Sequence, residues 1–287
     1  MGILFGLIRQ IRYWDAASKW ALGIALALLV LALVLLTSAP ADVRDAALIG
    51  VVGLLVVVQL IVLWGNRGMV TPYTQAQRQF IAGDFTGARD TLEAHIAALA
   101  SEGKPADADT LVLLGNTYRN LSGTKPDALT KPDALTYSKH LLTKAVQLQP
   151  SYHFPLYGLG RTLLAKGDYA NAAHYLQQAL AHGAPTIAHF DLGHAYYRLG
   201  KLAEARAALL AGYAAAQQEP HRALMTRYLL LQIARVQPDQ AANDLGEIGI
   251  DETLLAAGLP FWVAEAARYA HTPYGQAIQA DVQALEN

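Results

Sequence analysis

The chain has 287 residues, no cysteine and a formal net charge of -1. That excludes disulfides, thiolate metal ligands and thiol nucleophiles, and it removes any general attraction to nucleic acid. At 53% hydrophobic residues the composition is rich for a soluble protein, and much of the excess sits in the first quarter of the chain.

Residues 1–19 set Ile3, Leu4, Leu7, Ile8, Ile11 and Trp14 at helical spacing against Arg9, Arg12 and Lys19. This basic amphipathic segment is suited to a membrane interface or to flanking the apolar stretch that follows. Trp20 to Thr37 and Ala46 to Trp64 are free of charge, and each is long enough to cross hydrocarbon as a helix. The expectation for 20–64 is therefore a transmembrane helical hairpin, with Trp20 and Trp64 at interfacial depth and Ser38 to Asp45 as its connection. Arg9, Arg12 and Lys19 precede the pair and Arg67 and Arg78 follow it, which places both termini and everything after the hairpin in the cytoplasm. Ala39-Pro40-Ala41 has the small residues of a cleavage site, so a cleaved signal peptide is the alternative for the first span. Gln59 is the one strongly polar residue inside a span, placed for an intramembrane contact across the hairpin or to another subunit.

Gly65 to Thr71 forms a short linker, and Pro72 opens a helix capped by Thr71. The strongest pattern in the chain runs from His153 to Gln217, where one unit is written twice at a period of 33 residues. Leu159-Gly160, Gly167-Asp168-Tyr169, Ala172, Leu176 and Ala179 recur as Leu192-Gly193, Gly200-Lys201-Leu202, Ala205, Leu209 and Gly212. Leu156, Leu159 and Leu163 mark one helical stripe, and Tyr169, Ala172, Ala173, Leu176 and Leu180 a second. The Gly167-Asp168 turn between them ends one helix and caps the next. Such a hairpin cannot bury its own apolar face and must stack on neighbours.

This spacing resembles the tetratricopeptide repeat, most closely in Leu192-Gly193-His194-Ala195-Tyr196-Tyr197. The frame extends upstream through Gly83-Asp84-Phe85, Ala88 and Leu92, although the helix before that turn lacks a Leu-Gly pair. It also extends through Leu114-Gly115, Tyr118, Leu142, Ala145 and Pro150, with an expanded turn. The resemblance covers 72–218. It implies a tetratricopeptide-like right-handed α-solenoid; with the two transmembrane helices before it and a helical C-terminal cap over 219–287, the expected fold is all-α.

Inside the expanded turn, Thr124 to Leu129 is repeated as Thr130 to Leu135, read as a tolerated surface expansion or as a specific loop. After Gln217 the frame fades. Pro238, Pro260 and Pro273 are each expected to stop or start a helix, the last behind a Thr272 cap. Leu254, Leu255, Leu259, Trp262 and Val263 would cover the last apolar face of the stack, Trp262 serving as core or as a partner anchor.

No HExxH, no Gly-rich phosphate loop and no G-x-S-x-G elbow occurs, so neither catalytic residues, a metal site nor a cofactor is assigned. The function expected is recognition. In tetratricopeptide domains the first helix of each repeat lines a concave groove, and the matching positions are Asn116, Arg119, Tyr157, Arg161, Phe190, His194, Tyr197 and Arg198, with Val112 and Leu164 beside them. Aromatic rings next to arginines suit a protein or peptide partner with apolar anchors and some negative charge. The two-carboxylate clamp of chaperone-binding members is not reproduced, since Gly158, Ile187 and Asp191 replace its polar or basic partners. The reading is a membrane-anchored adaptor bound to the lipid bilayer, not an enzyme and not a nucleic-acid binder. Its alternative is an accessory subunit or assembly factor of a larger membrane complex, in which Gln59, Gly50 and Gly53 make contacts. That alternative is similar to the two-span repeat proteins of cytochrome c maturation, but the connection between spans here is short.

Overall fold

The structure is a computed structural model, and it describes residues 16–38, 40–66, 71–123, 133–238 and 249–287. The amphipathic pattern of residues 1–14, the duplicated turn at 124–132, Arg67 and Ala39 of the cleavage motif lie outside the described residues. Fourteen helices and no strand are found among the described residues. The chain divides into two compact units, Met1–Thr74 and Gln75–Asn287.

The first unit contains α1 (Ala16–Ser38) and α2 (Ala41–Asn66), which pack against each other. Both are long and apolar enough to cross a membrane by length and composition. Only 11% of the α1 window and 0% of the α2 window is buried, whereas the core helix of a soluble protein is mostly buried. Ile24, Val30, Leu31, Ile49, Leu60 and Leu63 are all exposed. The expected connection 38–45 is shorter than the charge pattern implies, because α2 begins at Ala41.

In the second unit the helices come in antiparallel pairs: α3 (Pro72–Ile81) with α4 (Phe85–Ser101), α5 (Ala108–Leu121) with α6 (Ala134–Leu148), α7 (His153–Lys166) with α8 (Tyr169–Ala181), and α9 (Ala188–Arg198) with α10 (Leu202–Ala211). A single turn, α11 (Tyr213–Ala216), leads into α12 (Pro220–Val236), and α13 (Glu252–Arg268) and α14 (Pro273–Glu286) form the last pair. Each turn follows from its residues. Gly167 sits at φ 80° after α7, its N–H bonding to Leu164 O at 2.9 Å and that of Asp168 to Leu163 O at 2.9 Å. The Asp168 carboxylate then accepts from the Asn171 N–H and caps α8.

The small residues of the repeat set the distance between paired helices. A Cβ on Gly160 would stand 2.7 Å from Leu176 Cγ, and one on Gly193 2.6 Å from Leu209 Cγ. In both cases the leucine lies sixteen residues after the glycine, and Ala76 with Leu92, both at 0% exposure, keeps that spacing in the first pair. Ala76 thus takes the place of the missing glycine. In the second pair Gly115 meets Leu142, at 2.7 Å from a Cβ to Cγ, twenty-seven residues on, so the expanded turn leaves the interhelical contact intact.

Two expectations for the tail are corrected. Pro260 does not interrupt a helix but lies inside α13. Gly258 there stands so close to α12 that a Cβ would be 2.7 Å from Pro220 O, and this packing holds the helix together across the lost N–H. Nor do α13 and α14 simply cap the end of the stack. They pack on α12 and turn back along the first helices of the preceding repeats.

Candidate functional site

The first helices α5, α7, α9 and α12 contact one another in sequence and form one wall. Tyr269, buried at the end of α13, donates from its hydroxyl to Arg119 O on α5 at 3.2 Å. Pro273 at the start of α14 lies against Gly167, where a Cβ would be 2.8 Å from its own Cβ. Trp262 is 2% exposed, donates its indole N–H to His221 O at 2.6 Å and lies 6.2 Å from the Phe190 ring. Asp281 of α14 pairs with Arg198 of α9. The chain's own C-terminal helices therefore lie against this wall.

The eight groove residues read from the sequence are brought onto this wall, but unequally. Arg119 is 7% exposed, Phe190 4% and His194 0%. Asn116, Tyr157, Arg161, Tyr197 and Arg198 are half-buried. His194 Nε2 accepts from Arg198 Nε at 3.2 Å, and its Nδ1 is buried without a hydrogen-bond partner. Burial, followed by the charge of Arg198, holds the His194 imidazole well below its usual range, so it is neutral near pH 7. Gln59, the remaining candidate, is exposed on α2 in the other unit.

Between the wall and α13 a cavity of about 160 Å³ remains. Arg119, Arg161, Arg222 and Arg268 line it with Asp191 and Glu265, alongside the rings of Phe190, Trp262, Tyr269 and Tyr274. Asp191 accepts from the Tyr157 hydroxyl at 2.6 Å and lies 3.7 Å from Arg161 Nε. Burial works against the Arg161 charge, but Asp191 and Tyr157 outweigh it and raise its pKa. Glu265 stands 3.3 Å from Arg268 Nη1, and burial still pushes its carboxyl upward. Among the described residues Arg119 bonds to neutral oxygens alone, Asn116 Oδ1 at 2.7 Å and Gly158 O at 3.4 Å. Burial first, then the charge of Arg161, lowers its pKa to about 10.

Sequence reasoning missed Arg222, Glu265, Arg268, Tyr269, Tyr274 and Asp281, all beyond the point where the repeat frame fades. A signal was present. Trp262, Glu265, Ala266 and Tyr269 share one helical stripe, as do Tyr274, Ile278, Asp281 and Val282, and a carboxylate inside an apolar stripe calls for a basic partner.

Residues 157–220 match the family described as tetratricopeptide repeat. Among solved structures, MamA MSR-1 is similar at 18% identity and a TM-score of 0.47, covering 60% of this chain and 88% of that one. A thermophilic TPR protein in Thermus thermophilus gives 20% identity, a TM-score of 0.47 and coverage of 72% and 99%. MamA AMB-1 gives 19% identity, a TM-score of 0.42 and coverage of 64% and 94%. No curated protein matches the chain. Among the described residues every element is a helix; residues 157–220 match the tetratricopeptide repeat, and two long apolar helices precede them.

Proposed function

We propose that this chain is a membrane-anchored scaffold that holds a protein partner through the concave face of its repeats, on the cytoplasmic side of the bilayer. The observation that carries the reading is the way α13 and α14 lie against this wall. A helical pair with aromatic anchors (Trp262, Tyr269, Tyr274) and buried carboxylates (Glu265, Asp281) engages the wall as a bound partner would. The recognition surface is Asn116, Arg119, Tyr157, Arg161, Phe190, His194, Tyr197 and Arg198. A hairpin spanning the bilayer would confine the complex and raise its local concentration.

The test is a crosslinking pull-down from membranes with the full chain, a chain lacking residues 1–64, and the Arg161→Glu, Tyr197→Ala double variant. Partners kept by the truncated chain and lost by the double variant support the scaffold. Partners unaffected by the double variant sink it.

A second reading is favoured by α2. Gln59 is exposed and makes no hydrogen bond with a described residue, and Gly50 and Gly53 have nothing within 4 Å of an added Cβ. In a bilayer, an amide and small residues left open by the hairpin itself fit contacts with another membrane subunit. Partners lost with the hairpin alone would support this accessory-subunit reading.

A further inference from the structure

The geometry points to an oxyanion site of the phosphate class in the cavity between the wall and α13. Four arginines and two carboxylates line it, and Glu219, paired with Arg222, leaves an excess of one positive charge. His221 does not alter that balance, because burial, ahead of the opposing pull of Glu219, keeps its imidazole below the usual range. The carboxylates already have partners: Asp191 has Tyr157 and Arg161, and Glu265 has Arg268. Arg119 is left over, and Arg222, paired with Glu219, keeps Nη1 unbonded among the described residues.

Arg119 is 7% exposed and makes no ion pair with a described residue, a costly placement for a charge unless an anion joins it. Arg222 bonds Glu219 through Nε at 3.1 Å, while its buried Nη1 has no hydrogen-bond partner. Tyr274 is 4% exposed, lines the cavity, and its hydroxyl bonds to no described residue. Burial raises that hydroxyl well above its ordinary pKa, so it remains a donor. Three donor-bearing side chains thus line one space, and the cavity far exceeds the ~15 Å³ that a single water needs. The remaining donors of two guanidinium groups and a hydroxyl match the acceptor oxygens of an oxyanion of this class, whether free phosphate or the phosphoryl group of a monoester. The site does not depend on the scaffold reading, since it needs no protein partner.

The test is isothermal titration of the full chain in detergent micelles with inorganic phosphate, against chloride at matched ionic strength. Saturable binding of one phosphate per chain is expected, and a response equal to that of chloride overturns the site. Arg222→Gln and Tyr274→Phe should each weaken binding about tenfold, the scale of a lost hydrogen bond to a charged group. Arg78→Gln, on the exposed surface of α3, should leave it unchanged. Far-UV circular dichroism shows whether each variant retains the helical fold. Phosphate bound equally by wild type, Arg222→Gln and Tyr274→Phe overturns the assignment, as does acetate binding as tightly as phosphate. Competition by phosphoserine extends the site to phosphoryl monoesters, and its absence restricts the site to the free ion.

Discussion

The Arg198–Asp281 pair ties the last helix to the repeat wall, and Asp281→Asn isolates what that tie is worth. Both side chains are mostly out of water, at 12% and 8% exposure. Removing one partner of such a pair costs about 3–5 kcal/mol, because the remaining charge is left uncompensated. The lower end applies here, since Arg198 keeps His194 Nε2 as an acceptor at 3.2 Å. About 3 kcal/mol corresponds to a rise of roughly a hundredfold in the opening equilibrium of α14. Hydrogen exchange read by mass spectrometry on the full chain in detergent measures this directly: amides of Pro273–Glu286 should exchange about a hundred times faster, with α7 and α8 unaffected. Burial raises the Asp281 carboxyl despite its pairing with Arg198, so desolvation offsets much of the attraction. Replacing both residues, Arg198→Met with Asp281→Leu, should therefore restore most of the protection. A change of less than about threefold in the single variant would refute the view that this pair holds α14 in place.

Gly193→Ala drives a Cβ to within 2.6 Å of Leu209 Cγ and 3.1 Å of the Leu209 backbone nitrogen, and should cost about 1–3 kcal/mol by urea denaturation. Gly50→Ala, with nothing within 4 Å, should cost nothing and tends to stabilise its helix. Thr272→Ala removes the cap that accepts from the Gly275 N–H at 3.1 Å and should destabilise α14 by about 1 kcal/mol, seen as earlier proteolysis of the C-terminus. His194 makes stability depend on pH. Its folded pKa lies well below 6.5, so below pH 6.5 the unfolded chain binds a proton that the folded chain does not. The contribution is complete above pH 6.5 and is lost by up to ~1.4 kcal/mol per pH unit as pH falls toward the folded value. Glu265 and Asp281, whose carboxyls are raised, act in the opposite sense by holding protons in the folded state at higher pH. Subtracting the His194→Gln denaturation curve from that of the wild type between about pH 5 and 7.5 separates them. A difference independent of pH would count against a buried neutral imidazole.

The repeats were legible because each of their residues answers a local requirement. Gly167 and Gly200 take positive φ, Asp168 caps, and Gly160 and Gly193 admit a leucine sixteen residues on. The first pair was harder to read only because alanine serves at position 76 where glycine stands elsewhere. The tail was misread for a tertiary reason. A proline signals a helix end when the helix stands alone, but Pro260 lies in a segment clamped against Pro220 and Leu224, and that packing outweighs one missing hydrogen bond. Nor does any local pattern say where a terminal hairpin docks. The carboxylates of Glu265 and Asp281 within apolar stripes announced basic partners, yet the choice of Arg198 and the arginines around the cavity depends on contacts between residues as far apart as 150 positions.

The same docking constrains any partner of the concave face. If α13 and α14 open with a small equilibrium constant, an outside ligand sees its affinity reduced by the fraction of chains that are open. At roughly one open chain in a thousand, a partner with nanomolar intrinsic affinity would bind at about micromolar. Its own helices hold an advantage that no free partner has, because they are tethered at high effective concentration. A partner therefore has two physical routes: to supply more binding free energy than the docked pair, or to bind where the pair leaves the wall uncovered. These routes predict opposite responses to Asp281→Asn. Displacement would make binding up to about a hundredfold tighter, by raising the open fraction, whereas docking beside α14 would leave the affinity unchanged. Measuring partner affinity in that one variant thus decides whether the C-terminal pair competes for the groove or completes it.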